Sequence, residues 1–307
     1  MAELSVQSEV NKQTKYINFE KVSKRMSFRI FLNNAVKILF FLSTMFGFVV
    51  LLFLLYRIFA DGLGWISIDF LTNKLSTLPE RAGIFGAIVG TIWLMVIVGP
   101  LTMLLGIGTA IYLEEYAKKG KVHSFIQTNI TNLAGVPSIV FGLLGLTIFV
   151  RMFGFGPSII AGGMTMSLLV LPIVVVAAQE AIRSVPQHLR EASYGMGATK
   201  WQTIKNIVLP ASIAGILTGV ILALSRAIGE TAPLVALGIP ALIIPIPGGV
   251  MDNFTVLPMQ IYYWTIDSVL VDEYAQMAAA TIIVLLIILF LMNSIAIIIR
   301  NKFQNRF

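Results

Sequence analysis

Arg226 and Glu230 stand four residues apart in an otherwise apolar run, Leu222-Ala223-Leu224-Ser225-Arg226-Ala227-Ile228-Gly229-Glu230. At that spacing two helical side chains share a face and can pair. A guanidinium presents a planar fork of donors that suits oxyanions, and a neighbouring carboxylate can hold it in place. Physical chemistry alone leaves two roles open. Either the pair is a structural ion bridge whose arginine reaches toward headgroups, or the arginine lines a path and meets an anion. Other reactive groupings are weaker. His123 and His188 have no Cys, Asp or Glu at ligand spacing, so both are read as solvated and no metal site is expected. With no cysteine, neither disulfides nor thiolate sites arise. No Ser-His-Asp set supports catalysis, and no G-x-x-x-x-G-K-[ST] loop can cradle a nucleotide phosphate. Gly120-Lys121 is followed by Val122, and Gly197-Ala198-Thr199-Lys200 has the wrong order. The chain is therefore not expected to be an enzyme or to carry a cofactor.

The elements that hold the pair are set by composition. Of the residues, 57% are hydrophobic and only 12% charged, which places the chain among membrane proteins. A spanning helix needs about 20 mainly apolar residues. Stretches near 37–59, 83–112, 125–150, 158–180, 207–229 and 275–299 qualify. The first follows a polar tail and has no small-residue cleavage site, so it is no secretory signal. Residues 231–251 are long enough to span, but Pro233, Pro240, Pro245 and Pro247, with Gly238, Gly248 and Gly249, break a helix. They are expected to form an external loop or re-entrant element. Arg226 lies about 24 Å along the fifth span from Pro210 at ~1.5 Å per residue, in its outer half. A charge at mid-bilayer costs about 2.5–3.5 kcal/mol on insertion scales, and this depth lowers the cost.

Orientation follows from basic residues at the span ends. Lys12, Lys15, Lys21, Lys24, Arg25, Arg29 and Lys37 precede the first span, and Lys118, Lys119 and Lys121 follow the second. Arg183, Arg190, Lys200 and Lys205 follow the fourth, and Arg300, Lys302 and Arg306 follow the last. Six spans put all four groups on one side, the cytoplasm, with both termini. A seventh would throw the basic C-terminus outside. The opposite side holds Asp61, Asp69, Glu80, Asp252, Asp267, Asp272 and Glu273. The formal charge of +7 thus flanks membrane segments and implies no nucleic-acid partner. Residues 1–36 are expected to be a flexible or surface-lying cytoplasmic tail, 37–300 the membrane domain, and 231–274 an external loop. Gly86-x-x-x-Gly90 and Gly215-x-x-x-Gly219 fit close helix packing. Pro137 and Pro172 are candidate kinks of the third and fourth spans. Trp65, Trp93, Tyr262, Tyr263 and Trp264 suit interfacial anchoring, and Glu180 can pair structurally with Arg183.

Residues 181–206 are then a cytoplasmic loop. Glu191 to Gly195 can form a short helix, and Gly197 suits the turn that ends it. Ala192, Ser193, Gly195, Gly197 and Ala198 leave a low surface that another protein can approach. Pro210 fits the first turn of the next span. Glu191-Ala192-Ser193, Gly197, then Ile207-Val208-Leu209-Pro210 resembles the coupling loop of ABC-importer permeases, E-A-A, three residues, G, nine residues, I-x-L-P. Ser193 replaces the second alanine, a change expected to leave coupling undisturbed. The resemblance implies a type I (MetI-like) six-helix bundle whose coupling residues are Glu191, Ala192, Ser193, Gly197 and Ala198. It implies a separate ATPase that binds the ATP.

Ser225 to Leu234 is similar to the fifth-helix segment of the PstA family of phosphate ABC-transporter permeases. Gly135-Val136-Pro137-Ser138-Ile139-Val140-Phe141-Gly142, Gly197 to Thr203, and Asn253-Phe254-Thr255-Val256-Leu257-Pro258-Met259-Gln260-Ile261-Tyr262 resemble the same family. The likeness runs from about 80 to 300. Thr231-Ala232-Pro233 after Gly229-Glu230 fits PstA better than the sister permease PstC. This resemblance implies a multi-pass subunit of a bacterial inner membrane, paired with a sister permease, an ATPase dimer and an external phosphate-binding protein. It makes Arg226 and Glu230 the charged pair linked to phosphate passage. The rival readings are another oxyanion (molybdate, sulfate or phosphonate), or a scaffold that binds an ATPase without conducting.

Overall fold

The computed structural model describes residues 19–240 and 246–304. The predicted tail up to residue 18, Pro245 and Arg306 lie outside the described residues. Among the described residues the regular elements are helices, with one isolated antiparallel bridge between Ser158 and Asn253. Five helices are long and apolar enough to cross a membrane, and a bent pair makes a sixth if counted as one span. The chain divides into two compact units, residues 1–57 and 58–307.

The described part of the first unit lies in α1 (Phe19–Gly62). Its 44 residues correspond to about 66 Å at ~1.5 Å per residue, roughly twice the hydrocarbon thickness. Residues 19–36, expected as a flexible tail, are therefore helix continuous with the span. The sequence explains this, since no Gly or Pro occurs before Gly47 in the helix. Phe31, Phe40, Phe46, Phe53 and Tyr56 are all exposed. A helix apolar on every face is at home only inside protein or lipid.

The second unit contains α2 (Ile68–Thr72), α3 (Phe85–Ile111), α4 (Lys121–Leu133), α5 (Ser138–Gly145) and α6 (Ile159–Arg183). It continues with α7 (Gln187–Gly195), α8 (Lys200–Thr203), α9 (Leu209–Gly229), α10 (Ala232–Leu237), α11 (Leu257–Asp267) and α12 (Glu273–Gln304). Single π-helical stretches extend α3 (Tyr112–Tyr116), extend α5 (Leu146–Met152) and join α8 to α9 (Ile204–Val208).

α6 is the central helix of the main core, packed by α3, α9 and α5. Close approach is bought with glycine. A Cβ on Gly219 would meet Ala177 at 2.2 Å, and one on Gly215 would meet Ala181 at 2.8 Å. That pair performs the packing expected of it. The other pair divides. A Cβ on Gly90 would lie 2.0 Å from the Thr255 carbonyl oxygen, so it seats a loop, whereas Gly86 has open space. Several buried hydroxyls are satisfied along their own helices, whereas the buried Thr255 hydroxyl, outside any helix, has no partner among the described residues. Thr91, Thr165, Ser167, Ser212 and Thr281 each donate to the carbonyl four residues earlier, at 2.7–2.8 Å. This lets polar side chains sit in a membrane core at little cost.

The third predicted span is not one helix. α4 and the α5 element meet at 102°. Pro137 begins α5 with φ −54° and ψ 134°, and a residue before proline is biased away from helix. Gly135 sits in the same turn. By contrast Pro172 lies inside the unbroken α6. Among the described residues of 231–251 no helix is long enough to span. α10 stops at Gly238, whose φ of +82° is left-handed. Leu234, Leu237 and Ile239 nevertheless belong to the main core. The start of the segment, 232–239, is thus folded into the bundle. α11 carries Trp264, which is 4% exposed and stacks with Tyr274. Its predicted interfacial role gives way to a packing role.

Gly90→Ala is expected to destabilise the protein by about 1–3 kcal/mol through overpacking. Gly86→Ala should be near neutral. Thermal unfolding in detergent should show a melting point lowered by several degrees for the first variant only.

Candidate functional site

Two regions carry the sequence candidates. The first is the end of α9. Arg226 Nε donates to Glu230 Oε1 at 3.1 Å. The helix ends at Gly229, and Glu230 has extended backbone (φ −79°, ψ 123°). Its carboxylate therefore folds back along the last turn. Arg226 is itself in that last turn, where the partial negative charge of the helix end favours a cation by about 0.3–1 kcal/mol. The Arg226 side chain is 52% exposed and that of Glu230 20%. The carboxylate engages Nε, and among the described residues no partner is seen for the two terminal nitrogens. A guanidinium fork left open in this way suits an oxyanion chemically. One residue earlier, the Ser225 hydroxyl lies 2.6 Å from Asn293 Oδ1 and ties α9 to α12.

The second region is α7 and α8. Glu191, Ala192 and Ser193 lie on α7, as expected from sequence. Gly197 has φ +84°, a left-handed conformation that glycine adopts without steric cost. The turn is a Schellman arrangement: Ala198 N donates to Ser193 O at 3.1 Å, and Gly197 N donates to Tyr194 O at 2.9 Å. Thr199 then opens α8 with a capping box completed by Gln202. Ser193 does more than fill space. Its hydroxyl lies 2.9 Å from Thr203 Oγ1, which also lies 3.1 Å from Thr199 O. With Ser193 donating to Thr203 and Thr203 donating to Thr199, every hydroxyl hydrogen is used. Glu191 points to solvent, as do Tyr194, Met196 and Trp201. Together they form an exposed, partly apolar surface on this end of the molecule.

What anchors α7 was not read from sequence. Arg190 Nε and Nη2 both reach Glu115 Oε1, at 3.2 and 3.1 Å. Arg190 Nη1 donates to Val185 O at 2.6 Å, and Nη2 to Ile182 O at 2.9 Å. The two side chains are 12% and 8% exposed. Next to this pair, Arg183 Nη2 donates to Glu114 at 2.6 Å and Nη1 to Glu180 at 3.1 Å. The buried Gln179 donates to Glu114 at 3.0 Å and exchanges hydrogen bonds with Gln127 of α4. Glu114 and Glu115 sit in the π stretch that ends α3. Lys200 also rests over the Tyr116 ring, 5.1 Å from its centre. The sequence signal was two adjacent acids at the end of an apolar run, which also describes ordinary solvated interface residues. The expected Glu180–Arg183 pair is present, as the exposed branch of this network. His188 is exposed and His123 half-buried. Among the described residues no His, Cys, Asp and Glu cluster could hold a metal ion.

The comparisons with known proteins agree with this architecture. The family described as "Binding-protein-dependent transport system inner membrane component" matches residues 103–304. "Probable ABC transporter permease protein YqgI" of Bacillus subtilis (strain 168) is 38% identical over 58% of this chain and 60% of its own. "Phosphate transport system permease protein PstA 1" of Mycobacterium tuberculosis (strain ATCC 25618 / H37Rv) is 37% identical over 67% of this chain and 68% of its own. The match thus spans about three-fifths to two-thirds of the length of these relatives. Among solved structures, the inward-facing MetNI methionine ABC transporter superposes with a TM-score of 0.56 at 16% identity, over 70% of this chain and 93% of that chain. A bacterial alginate ABC transporter bound to a periplasmic protein gives 0.57 at 18% identity, over 83% and 90%. These structural likenesses establish the fold.

Gly197→Ala forces a side chain into the left-handed region, at about 1–2 kcal/mol. The amides of Gly197's position and Ala198 should then exchange roughly 5–30-fold faster in a hydrogen-exchange measurement. Gly195→Ala, with open space around it, should leave those rates unchanged.

Proposed function

The chain belongs to the family of binding-protein-dependent transport system inner membrane components, and from that premise we propose that it is the permease subunit of an ATP-driven importer of inorganic phosphate. It is a multi-pass membrane protein. In this reading it sits in a bacterial cell membrane and forms the pathway with a sister permease. ATP is bound and hydrolysed by a separate ATPase dimer, and an external phosphate-binding protein delivers the substrate.

The observation that carries the substrate assignment is the Arg226–Glu230 pair at 3.1 Å near the end of a membrane-spanning helix. A half-exposed guanidinium with its terminal nitrogens free of protein partners among the described residues matches a phosphate oxyanion in charge and donor geometry. Glu230 engages Nε and so fixes the direction in which the fork points. The relatives whose names specify phosphate transport support the same choice of anion.

The proposed work cycle is one that this geometry can support. The binding protein docks on the outer face, to which 231–274 contributes. ATP binding closes the ATPase dimer and displaces α7 and α8, whose exposed Glu191, Tyr194 and Trp201 meet the ATPase. The bundle switches between inward- and outward-open forms, and phosphate passes Arg226. In this reading the chemistry of ATP hydrolysis belongs to the separate ATPase. The chain's contribution is a pathway, a charge that selects anions and a lever.

In cells lacking the chain, the intact protein should restore radiolabelled phosphate uptake at low external phosphate. Arg226→Gln should reduce that uptake at least tenfold at equal membrane levels, and Arg226→Lys should retain part of it. Sulfate and molybdate serve as parallel substrates. A response to one of these but not to phosphate would overturn the substrate and keep the permease. No response to any anion would favour the scaffold reading.

A further inference from the structure

The Arg190–Glu115 bridge joins three elements at one point. Glu115 belongs to the π stretch that ends α3, Ile182 lies in the last turn of α6 with Val185 just past its cap, and Arg190 lies on α7. One guanidinium spends all three of its nitrogens here: Nε and Nη2 on the carboxylate, Nη1 on Val185 O and Nη2 also on Ile182 O. Both side chains are nearly withdrawn from solvent, so the bridge is poorly screened and holds one geometry. Exposed pairs such as Arg183–Glu180 have no comparable constraint.

The local backbone points the same way. α3 changes from α to π winding at Tyr112, and π turns of this kind displace side chains from the α register. Here the displacement sets Glu114 and Glu115 side by side, toward Arg183 and Arg190 respectively. α7 itself has no buried residue. Without an apolar face in the core, this helix depends on its polar ties to follow the bundle.

We propose that the Arg190–Glu115 bridge is the transmission joint of the subunit, through which displacement of α7 is carried into α3 and α6. The inference rests on the permease reading above and assigns Arg190 and Glu115 as positioning residues. Neither is required to touch phosphate or nucleotide. Loss of the joint lets α7 move with the ATPase while the bundle stays behind, so ATP is hydrolysed without matching transport.

The test uses the full complex in proteoliposomes, with the sister permease, ATPase dimer and binding protein. ATP hydrolysis and radiolabelled phosphate accumulation are measured on the same preparation. Glu115→Gln is expected to lower the phosphate accumulated per ATP at least tenfold, with ATP hydrolysis within threefold of the parent and the ATPase still co-purifying. Glu115→Asp should stay within threefold of the parent ratio. Glu180→Gln, on the exposed branch, should leave the ratio unchanged. A Glu115→Gln ratio within twofold of the parent would overturn the proposal. So would parallel loss of hydrolysis, uptake and ATPase co-purification, which marks a purely structural bridge. If Glu115→Gln does not accumulate in the membrane, Arg190→Lys gives the reading: a three- to tenfold lower ratio supports the joint, and an unchanged one contradicts it. A parent complex that hydrolyses ATP but moves sulfate or molybdate in place of phosphate would sink the substrate assignment alone. The ratio is then read with that anion.

Discussion

Hydrocarbon offers no hydrogen bonds, and every polar group in the spanning part of this chain must find its partner within the protein. That constraint explains the use of helices, whose backbone groups pair internally. It explains why buried Thr and Ser side chains turn back to the carbonyl four residues earlier. It also restricts where charge can appear. Arg226 and Glu230 are at a helix end and bonded to each other. Three further ion pairs, Arg183–Glu114, Arg183–Glu180 and Arg190–Glu115, lie at the second candidate region, around α7. Both candidate regions thus carry paired charge.

The same constraint weakens the apolar driving force between helices, because lipid is as apolar as leucine. Shape must do more of the work. Gly215 and Gly219 let α9 lie against Ala181 and Ala177 of α6, Gly106 receives Val174, and Gly163 receives Ile97. Gly142 and Gly145 do the same for the α5 element against α10 and α6. α6 thus touches several neighbours at near backbone contact. A helix held so closely transmits displacement with little slack, which suits a bundle that has to change conformation as a unit.

Much of this was legible in the sequence, and the failures have physical causes. Long apolar runs and their basic flanks are strong signals, and five of the six predicted spans correspond to continuous helices. The turn between α7 and α8 was legible because Gly197 constrains the backbone there. The bend at 134–137 was foreseen only as a candidate kink at Pro137, because hydropathy averages over a window that a bend does not disturb. Gly135 and Pro137 were the available signal. Gly86 and Gly90 share a motif but not an environment, since sequence does not say which glycine faces the Thr255 carbonyl. The Arg190–Glu115 bridge joins residues 75 apart, and its formation depends on a π stretch that no residue pattern announces. The contact of the Ser193 hydroxyl with Thr203 joins two elements across a turn, and no spacing announces it.

The central claim is that this chain forms an ATP-driven path for phosphate. Its most direct test is substrate accumulation by the purified complex in sealed proteoliposomes, with ATP on the α7 side and binding protein on the other. The account predicts phosphate accumulation against its gradient that requires both ATP and binding protein and is not displaced by equimolar sulfate. ATP-dependent accumulation of a different solute, with phosphate excluded, would contradict it.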